Sequence, residues 1–388
     1  MKKKIAILGS TGSIGQNLLK IVNRDKKQYE IVLLTANKNY LQLLKQAKKF
    51  KVKNIIIKDN ESFKKIKKKN NIKYINIYND FESYKKIFKK KINYVMSSIS
   101  GTEGLIPTIK IIKHTKKIAI ANKESIICAW NLIDRELKKY KTSFVPVDSE
   151  HYSLWYALGN TPNSKVEKIY LTASGGPLLN IKKLNLKNIK LFQALKHPNW
   201  RMGKKISIDS CTMMNKVFEV VEAKHIFNLP YKKISILTHP SSYVHAIVKF
   251  KNGLIKIIAH DTTMTIPIYN TINVNENSFI KTENLNLEKL NNLELKKVNF
   301  KLFPLVKILK KLPQNISLFE TVLVSINDYL VSLYLDKKIS YNQLQVLLVQ
   351  FINNKVFAKY KKLKPNKIQD IISVENKVSS FIIKSINK

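Results

Sequence analysis

The sequence predicts an α/β protein in three parts: an N-terminal doubly wound parallel sheet, a central α+β domain and a C-terminal α-helical domain. Three observations support this fold class. Within residues 1–150, short apolar segments alternate with helical stretches of ten or more residues, which is typical of parallel sheets. Residues 165–265 contain strand-like segments around one long helix. From about residue 317 to 387, three stretches have helical spacing.

In the N-terminal region we expect strands at 4–9, 30–36, 54–59, 94–101, 117–124 and 143–150, with helices at about 13–23 and 39–50. Polar segments, several of them with glycine, follow these strands. Ligands of doubly wound sheets bind beyond the carboxyl ends of the strands. The binding site of this region is therefore expected at that edge of the sheet.

The remaining chain has a different pattern. Strands are predicted at 168–174, 234–240, 242–250 and 254–260, with a helix over 210–227, and the helices of the tail at 318–336, 341–357 and 368–386. The predicted domain bounds are 1–150 for a nucleotide-binding domain, 151–274 for the α+β domain, 275–312 for a connecting segment rich in Asn, Leu and Lys, and 313–388 for the helical domain.

The composition argues against a membrane or disulfide-rich protein. The longest apolar runs are far shorter than the roughly 18 residues that a membrane-spanning helix needs. The apolar run near the start ends at Gly9, too short for a signal peptide, so we expect a cytoplasmic protein without a membrane partner. Cys128 and Cys211 cannot form a disulfide framework.

The formal net charge of +44 is typical of nucleic-acid-binding proteins. However, only Arg24, Arg135 and Arg201 are arginines, whereas phosphate and base recognition favours the guanidinium group. The lysines are also spread over every segment of the chain. We therefore interpret them as a solvated surface and expect no specific nucleic-acid partner.

A glycine-rich turn, "GSTGSIG", follows the first predicted strand and opens a helix. Gly9, Gly12 and Gly15 suit the tight turn of a dinucleotide site, in which the pyrophosphate faces a helix N-terminus. The alternative is an ordinary strand–helix connection. The second strand ends in "TANKN", without the carboxylate typical of NAD sites. Its cation and amides suit a 2′-phosphate, which favours NADPH, unless Lys38 is one more surface lysine.

Two carboxylates, Asp148 and Glu150, flank Ser149 at the end of the last N-terminal strand. If the strand continues, alternate side chains share one face, and both carboxylates point to the same place. A bound Mg²⁺ or Mn²⁺ would offset their repulsion. His151 is interpreted as a neighbour of that site. The alternative is a pair of exposed acids.

The predicted helix 210–227 has Asp209 or Ser210 as a candidate N-cap. One of its faces groups polar residues at i, i+3 and i+4 spacing, among them Asn215, Lys216 and Glu219. These side chains suit a phosphorylated ligand and a third carboxylate, although a solvated polar face would have the same spacing. Cys211 near the helix start is either a nucleophile or a small packed residue.

Five ordered motifs resemble those of the 1-deoxy-D-xylulose 5-phosphate reductoisomerase family. They are "GSTGSIG" at 9–15, "ANKES" at 121–125, "VDSEH" at 147–151, "SGGP" at 174–177 and the spaced pattern "HPNW-MG-KIS-DS-TMMNK--E" at 197–219. The resemblance implies a homodimeric enzyme of non-mevalonate isoprenoid biosynthesis. Such an enzyme converts 1-deoxy-D-xylulose 5-phosphate to 2-C-methyl-D-erythritol 4-phosphate with NADPH and Mg²⁺, Mn²⁺ or Co²⁺.

The resemblance also assigns residues. It assigns metal binding to Asp148, Glu150 and Glu219. It also implies a mobile loop near 197–205, in which Trp200 and Met202 form a lid. The substrate positions that it implies are Lys123, Ser149, Glu150, Ser174, His197, Ser210, Asn215, Lys216 and Glu219. The cofactor positions that it implies are Thr11, Gly12, Ser13, Ile14, Asn37, Lys38, Asn39, Asn122, Glu124 and Gly203.

The sequence departs from the family pattern at a few positions. Arg201 stands where Ser is usual, which predicts a stronger electrostatic contribution to ligand binding, and Cys211 stands where Ala is common. Asn37 replaces a frequent Gly. The segment 259–268, "AHDTTMTIPI", is a looser form of the usual Gly-Glu-Pro-Asp-Met-Arg-Thr-Pro, and "IND" at 326–328 stands where Asn-Glu is typical.

Two other classes of function compete with the reductoisomerase. A phosphorylating aldehyde dehydrogenase would use Cys211 as its nucleophile and would lose activity on thiol alkylation. A basic nucleic-acid-binding protein would show a steep salt dependence and a sequence preference. Metal dependence and loss of activity on Glu219→Gln would favour the reductoisomerase over both.

Overall fold

The computed structural model describes residues 2–69, 73–179, 189–200, 202–273 and 279–386. The chain divides into two compact units. The first comprises Met1–Ser125, Leu132–Tyr152 and Met264–Ile280, and the second comprises Ile126–Asn131, Ser153–Thr263 and Lys281–Lys388. The domain bounds expected from the sequence stay a prediction. Among the described residues, no helix is long and apolar enough to cross a membrane.

The first unit is built on a parallel sheet, as the sequence predicts. Its strands in the described residues are β1 (Lys3–Leu8), β2 (Tyr29–Ala36), β3 (Asn54–Ile57), β4 (Asn76–Tyr78), β5 (Ile92–Ser97), β6 (Thr115–Ile120) and β7 (Ser143–Pro146). They lie in the order β4-β3-β2-β1-β5-β6-β7, and every pair is parallel. The short edge strand β4 was not expected, because three residues without full burial carry little apolar signal.

The strand order reverses direction at β1. From there one half of the sheet continues through β2 and the other through β5. Both loops that follow these central strands contain close backbone contacts. A Cβ on Gly9, which has φ +82°, would lie 2.7 Å from the carbonyl oxygen of Ser98 beyond β5. The glycine thus lets the ends of β1 and β5 meet, at the switch point where doubly wound sheets bind their ligands.

Helices follow most of these strands. The first group is α1 (Ser13–Arg24), α2 (Tyr40–Phe50), α3 (Asn60–Lys69), α4 (Tyr84–Ile87), α5 (Leu105–Ile112), α6 (Lys123–Lys139) and α7 (Ser149–Leu158). Helix α1 buries one face, including Leu18 and Val22, as its amphipathic spacing requires. The helix α11 (Thr265–Ile272) packs against α1 within the same unit.

The second unit contains a mixed sheet. Its strands are β8 (Val166–Ala173), β9 (Ile234–Thr238), β10 (Val244–Phe250), β11 (Ile255–Ala259) and β12 (Lys296–Lys297), in the order β11-β10-β8-β9-β12. Strands β8 and β9 are parallel, and the other pairs are antiparallel. Strand β12 shows that part of the segment 275–312 belongs to this sheet, whereas residues 274–278 lie outside the described residues.

The helix predicted over 210–227 begins later, at Met214, and the N-cap predicted at Asp209 or Ser210 is wrong. The helix α8 (Leu191–Leu195) precedes the pair α9 (Lys204–Cys211) and α10 (Met214–Phe227). Both candidate caps lie in the last turn of α9. Met213, with φ +65°, forms the N-cap of α10 instead. A left-handed methionine gives no sequence signal, since this conformation is usual for glycine or asparagine.

Helix α10 is anchored by apolar packing against the second sheet. Val220, Ala223 and Phe227 of the helix pack with Ile169 and Val248 of the sheet in one buried cluster. Burial of each large side chain stabilises the fold by roughly 1.5–3 kcal/mol. The residues at the start of α10 are therefore held by the core that its later turns form.

The tail is helical, as predicted. After α12 (Leu287–Asn291) come α13 (Phe319–Leu335), α14 (Tyr341–Ile352) and α15 (Ile368–Ile386). Helix α14 begins with a capping box, in which Ser340 and Gln343 exchange hydrogen bonds with each other's backbone. Helix α13 packs against both α14 and α15.

We predict that Gly15→Ser lowers the free energy of unfolding by about 2–3 kcal/mol, because an added Cβ would overpack the turn. That Cβ would lie 2.6 Å from both the Gly9 carbonyl oxygen and the Ser10 Cα. Gly12→Ser is the matched control, since its Cβ meets nothing closer than 3.4 Å and Ser is a good N-cap. Denaturant unfolding of both variants measures the difference. Equal stability of the two variants would contradict the prediction.

Candidate active site

The glycine-rich turn after β1 is held by two side chains from neighbouring elements. Thr35 of β2 accepts the Gly9 N–H through its Oγ1 at 2.9 Å. Gln46 of α2 accepts the Ser10 hydroxyl at 2.7 Å and donates to the Ser10 carbonyl oxygen at 3.0 Å. The exposed Gly12 is the N-cap of α1, and because glycine has no side chain, it cannot accept the first N–H groups of the helix through a side-chain cap. The first N–H groups of α1, from Ser13 onward, thus remain suited to an anion.

The predicted 2′-phosphate residues, Asn37, Lys38 and Asn39, are all exposed beyond β2. Asn39 caps α2 by accepting the Gln42 N–H at 3.2 Å. Sequence reasoning missed a nearby carboxylate, that of Asp59. The pKa of Asp59 is lowered, mainly by the hydrogen bond from the Ser62 backbone and further by the charge of Lys38. Because Asp59 accepts the Ser62 N–H at 2.9 Å, its carboxylate is committed to the start of α3.

The loop after β6 is fixed by Asn122, which caps α6. Its side-chain oxygen accepts the Ser125 N–H, and its amide donates to the carbonyl oxygens of Ile99 and Gly101. Asn122 therefore ties the end of β6 to the loop after β5. The next residues, Lys123 and Glu124, are both buried. Three predicted ligand residues thus lie at one helix N-terminus.

Asp148 and Glu150 do not lie on a continued strand, so the same-face argument from the sequence is wrong. Strand β7 ends at Pro146, and helix α7 begins at Ser149. Lys123 Nζ lies 2.9 Å from Asp148 Oδ2, and Ser149 Oγ donates to Glu150 Oε2 at 2.6 Å. The short strand ends early because Asp148 and Ser149 favour a helix start over an extended chain.

These donors fit a hard divalent cation. Mg²⁺ prefers carboxylate oxygens. The two predicted metal-binding carboxylates of the first unit are each held by a neighbouring side chain, Asp148 by the Lys123 ammonium and Glu150 by the Ser149 hydroxyl. Such contacts orient a ligand before the metal binds.

In the second unit, Ser174 follows β8 in a glycine turn that touches α9. Gly175 and Gly176 have φ +82° and +64°, and a Cβ on Gly176 would lie 3.0 Å from the Ser210 carbonyl oxygen. The turn that follows Ser174 therefore packs on the backbone at Ser210. Two predicted substrate residues thus lie on segments that touch within this unit.

His197 is fixed in one tautomer by its neighbours. The N–H groups of Asn199 and Trp200 both donate to Nδ1, at 3.2 and 3.0 Å, so this nitrogen carries no proton. The proton then lies on Nε2, which is 3.1 Å from Ser174 Oγ. Gly176 N–H also donates to Ser174 Oγ, at 3.0 Å. With two donors on its oxygen, the Ser174 hydroxyl is left to donate its own proton to a ligand.

The predicted lid continues from His197. Asn199 Nδ2 donates to the carbonyl oxygen of Pro240 at 2.6 Å and to Ser242 Oγ at 2.9 Å. Trp200 and Met202 are half-buried, and the exposed Gly203 is the N-cap of α9. Arg201 lies outside the described residues, so its predicted electrostatic contribution stays a prediction.

The start of α10 carries a buried charged cluster. Lys216 Nζ forms an ion pair with Glu219 Oε2, and Asn215 Nδ2 donates to Glu219 Oε1. The side chains of Lys216 and Glu219 are only 4% and 3% exposed. The three residues that the helical spacing grouped are thus in mutual contact, and the alternative of a solvated polar face is wrong.

Sequence reasoning missed a second polar network, centred on Asp209. Its carboxylate is 1% exposed and accepts a hydrogen bond from Asn327 Nδ2 of α13 at 2.8 Å. Lys205 Nζ lies 3.2 Å from Asp209 Oδ2 and 2.9 Å from Asp328 Oδ1. This network joins the helix that carries Ser210 to α13. The family pattern "KIS-DS" contains two of the four residues, and their i, i+4 spacing was the signal for a contact.

Cys211 is a packed residue. It is fully buried, and burial raises the pKa of its thiol to about 12. Tyr341 donates to its backbone carbonyl oxygen at 3.2 Å. A nucleophilic thiol needs a lowered pKa and some exposure. The aldehyde dehydrogenase alternative therefore has no support here.

Family models described as 1-deoxy-D-xylulose 5-phosphate reductoisomerase and as two C-terminal domains of that enzyme match residues 5–130, 144–227 and 261–381. A 1-deoxy-D-xylulose 5-phosphate reductoisomerase from Pelagibacter ubique (strain HTCC1062) is 55% identical over 379 residues, covering 97% of this chain and 98% of that protein. This chain belongs to the 1-deoxy-D-xylulose 5-phosphate reductoisomerase family. The family member from Persephonella marina (strain DSM 14350 / EX-H1) is 37% identical over 388 residues, 100% of this chain and 96% of that protein.

Solved structures of family members have the same fold. The enzyme from Zymomonas mobilis in complex with NADPH is 28% identical, with a TM-score of 0.86 over 97% of each chain. A structure described as DOX-P reductoisomerase in complex with NADPH, fosmidomycin and magnesium is also 28% identical. Its TM-score is 0.89, over 99% of this chain and 98% of that one.

We predict that His197 stays neutral well below the usual pH of histidine titration. Burial lowers its pKa from 6.5 to about 4. Below pH 6.5 the unfolded chain takes up a proton that the docked His197 does not. The stabilisation from its contacts is therefore complete above pH 6.5 and is lost as the pH falls towards 4.

Nitrogen NMR of ¹⁵N-histidine-labelled protein measures this. We expect the His197 signals to report the neutral Nε2–H tautomer between pH 7.5 and about 5, with His197→Gln identifying the signals. Titration of His197 near the ordinary histidine pKa of about 6.5 would contradict a buried ring whose Nδ1 accepts two hydrogen bonds.

Proposed function

We propose that this chain converts 1-deoxy-D-xylulose 5-phosphate to 2-C-methyl-D-erythritol 4-phosphate, using NADPH and a divalent metal. The observation that carries the proposal is the buried cluster of Asn215, Lys216 and Glu219, in a chain that belongs to the reductoisomerase family. A related structure that contains NADPH, fosmidomycin and magnesium supports the same ligand classes. The buried thiol of Cys211 supports no competing covalent mechanism.

We propose that the cofactor binds at the carboxyl ends of β1, β2 and β6. The N-terminus of α1 suits the pyrophosphate, and the exposed "NKN" segment suits the 2′-phosphate of NADPH, because it offers a cation and two amides. The proposed cofactor residues are Thr11, Gly12, Ser13, Ile14, Asn37, Lys38, Asn39, Asn122, Glu124 and Gly203.

The proposed metal ligands are the carboxylates of Asp148, Glu150 and Glu219, which would hold Mg²⁺, with Mn²⁺ and Co²⁺ as alternatives. When bound, the metal would acidify a substrate hydroxyl and stabilise negative charge on the substrate oxygens. Lys123, 2.9 Å from Asp148, would keep that carboxylate oriented. Lys123 and Ser149 are also proposed to contact the substrate.

The proposed phosphate site of the substrate consists of Ser174, His197, Ser210, Asn215 and Lys216. Lys216 supplies a buried positive charge, and Ser174 is oriented to donate its hydroxyl proton, since its oxygen accepts two hydrogen bonds. Binding energy from the non-reacting phosphate can then be used to orient the carbon skeleton. Closure of Trp200 and Met202 over the substrate would exclude water before hydride transfer.

We further propose a homodimer that forms through β11, an edge strand of the second sheet in the part of the chain that the structure describes. This edge strand exposes Ile255 and Ile257, which are 57% and 48% accessible, and Leu254 beside them is 66% accessible. An unprotected apolar edge strand tends to pair with another strand. Strand β11 contains Lys256 alone as a protecting charge. Cytoplasmic location and the absence of a specific nucleic-acid partner stay proposals from the sequence.

The function is tested by following NADPH oxidation at 340 nm with 1-deoxy-D-xylulose 5-phosphate and Mg²⁺, and by identifying the product. Glu219→Gln is expected to lower kcat by at least about a hundredfold, because it removes a charge from the reacting centre. The exposed Glu61→Gln is the matched control and should stay within about twofold of wild type.

Chelation of the metal should abolish turnover, whereas iodoacetamide should not, because the Cys211 thiol is buried. A folded protein that binds NADPH but shows no metal-dependent turnover would refute the proposed reaction. Rapid inactivation by iodoacetamide, prevented by Cys211→Ala, would support the aldehyde dehydrogenase instead.

The homodimer is tested by Ile257→Lys. Light scattering after size exclusion should show a dimer for wild type and a weakened, concentration-dependent dimer for the variant, because the charge is placed on the apolar edge. Val346→Lys is the matched control, since Val346 is equally exposed on α14. A monomeric wild type, or a variant as tightly dimeric as its control, would contradict this assignment of the interface.

A further inference from the structure

Two histidine rings of the second sheet stack face to face. The centroids of His245 on β10 and His260 after β11 lie 3.7 Å apart, with an angle of 15° between the ring planes. His245 is 2% exposed, and His260 is half-buried. Rings this close and this nearly parallel overlap almost completely, which aromatic pairs favour less than offset or edge-to-face packing. The effect of the stack is therefore steric, because each ring limits the movement of the other. The proposed reaction uses neither ring.

The lid tryptophan packs against the same stack. Trp200 approaches His245 with a centroid distance of 6.2 Å and an interplanar angle of 71°. This is the edge-to-face geometry that aromatic pairs favour. The His245 ring therefore contacts both the Trp200 ring and the His260 ring. The ring that supports the lid is itself supported by His260.

His260 is held in place by the backbone of its own sheet. Its backbone N–H donates to the Tyr243 carbonyl oxygen at 3.0 Å, which continues the hydrogen-bond ladder between β10 and β11. Its Nδ1 lies 2.8 Å from the Asp261 carbonyl oxygen, and its own carbonyl oxygen lies 3.2 Å from His245 Nε2. Main chain and ring both connect it to His245.

We infer that His260 is a positioning residue for the lid, acting on Trp200 through the ring of His245. This inference rests on the proposed function, in which Trp200 closes over the substrate. A fixed His245 ring gives the Trp200 side chain one packing position. Less conformational entropy of Trp200 is then lost when the substrate binds. His260 touches neither substrate nor cofactor in this role. Its loss should weaken substrate binding while leaving the cofactor site intact.

His260→Gly, which removes the whole ring, tests the inference. Loss of one ring contact should raise the KM for 1-deoxy-D-xylulose 5-phosphate about three- to tenfold, with kcat and the KM for NADPH within about twofold of wild type. His260→Phe keeps a flat ring and should restore the wild-type KM. His114→Gln, in the first unit, is the control for loss of a half-buried histidine outside the second sheet.

A second readout is independent of turnover. In protein labelled with 5-fluorotryptophan, the ¹⁹F signal of Trp200, identified by Trp200→Phe, should shift or broaden in His260→Gly. The signals of Trp130 and Trp155 should stay in place. An unchanged Trp200 signal together with an unchanged substrate KM would overturn the inference.

The two proposals fail in different ways. A wild-type protein without turnover refutes the proposed function, but the ¹⁹F comparison still tests whether His260 positions Trp200. If His260→Gly does not fold, His260→Leu takes its place, because leucine fills the space without a flat ring. A lid signal in His260→Leu identical to that of wild type would then overturn the inference.

Discussion

The ion pair between Lys216 and Glu219 imposes the strictest requirement on the second unit, because both charges are buried. A buried charge without its partner costs several kcal/mol, and a buried pair stabilises a fold little compared with apolar residues of the same size. The pair therefore depends on a backbone that holds both groups in place. Helix α10 provides this, because its later turns pack into the core against β8 and β10. The left-handed Met213 then ends the preceding helix and allows α10 to begin at the required point.

In each unit, candidate site residues are placed by a close backbone approach at glycine. Gly9 lets the chain after β1 touch the chain after β5, and Gly176 lets the turn after β8 touch α9 at Ser210. A Cβ on Gly9 would collide with the Ser98 carbonyl oxygen at 2.7 Å, and a Cβ on Gly176 would be crowded by the Ser210 carbonyl oxygen at 3.0 Å. Main-chain atoms cannot move aside as a side chain can. Contacts between main-chain segments therefore fix the positions of the ligand-binding side chains. A substitution at either glycine acts on a whole loop and on every ligand group that the loop carries.

The sequence predicts most of the fold and the residue types of the site, because both depend on patterns of local order. Alternating strands and helices gave the parallel sheet, and the i, i+3 and i+4 spacing of Asn215, Lys216 and Glu219 grouped residues that are in contact. The errors have different causes. Asp148 and Glu150 were placed on a strand although Asp148 and Ser149 favour a helix start, because the alternating pattern of strands and helices was given more weight than this local signal. The start of α10 was placed too early because the left-handed Met213 gives no sequence signal. The stack of His245 and His260 joins a residue of β10 to one that follows β11, and spacing along one element does not reveal such pairs.

The Asp209 network shows how a departure from the family pattern can leave the site intact. Residues 326–328 read "IND" where Asn-Glu is typical, so the second carboxylate is one methylene shorter. Asn327 still donates to the buried Asp209, and Asp328 still reaches Lys205 at 2.9 Å. Lys205 has a long, flexible stem and can follow a carboxylate that has withdrawn by one bond, whereas Asp209 is fixed by burial. The rigid member of the network thus stays next to Ser210, and the flexible lysine absorbs the change at the other end. By this argument, the substitution at Asp328 affects the rim of the network and leaves the helix that carries Ser210 in place.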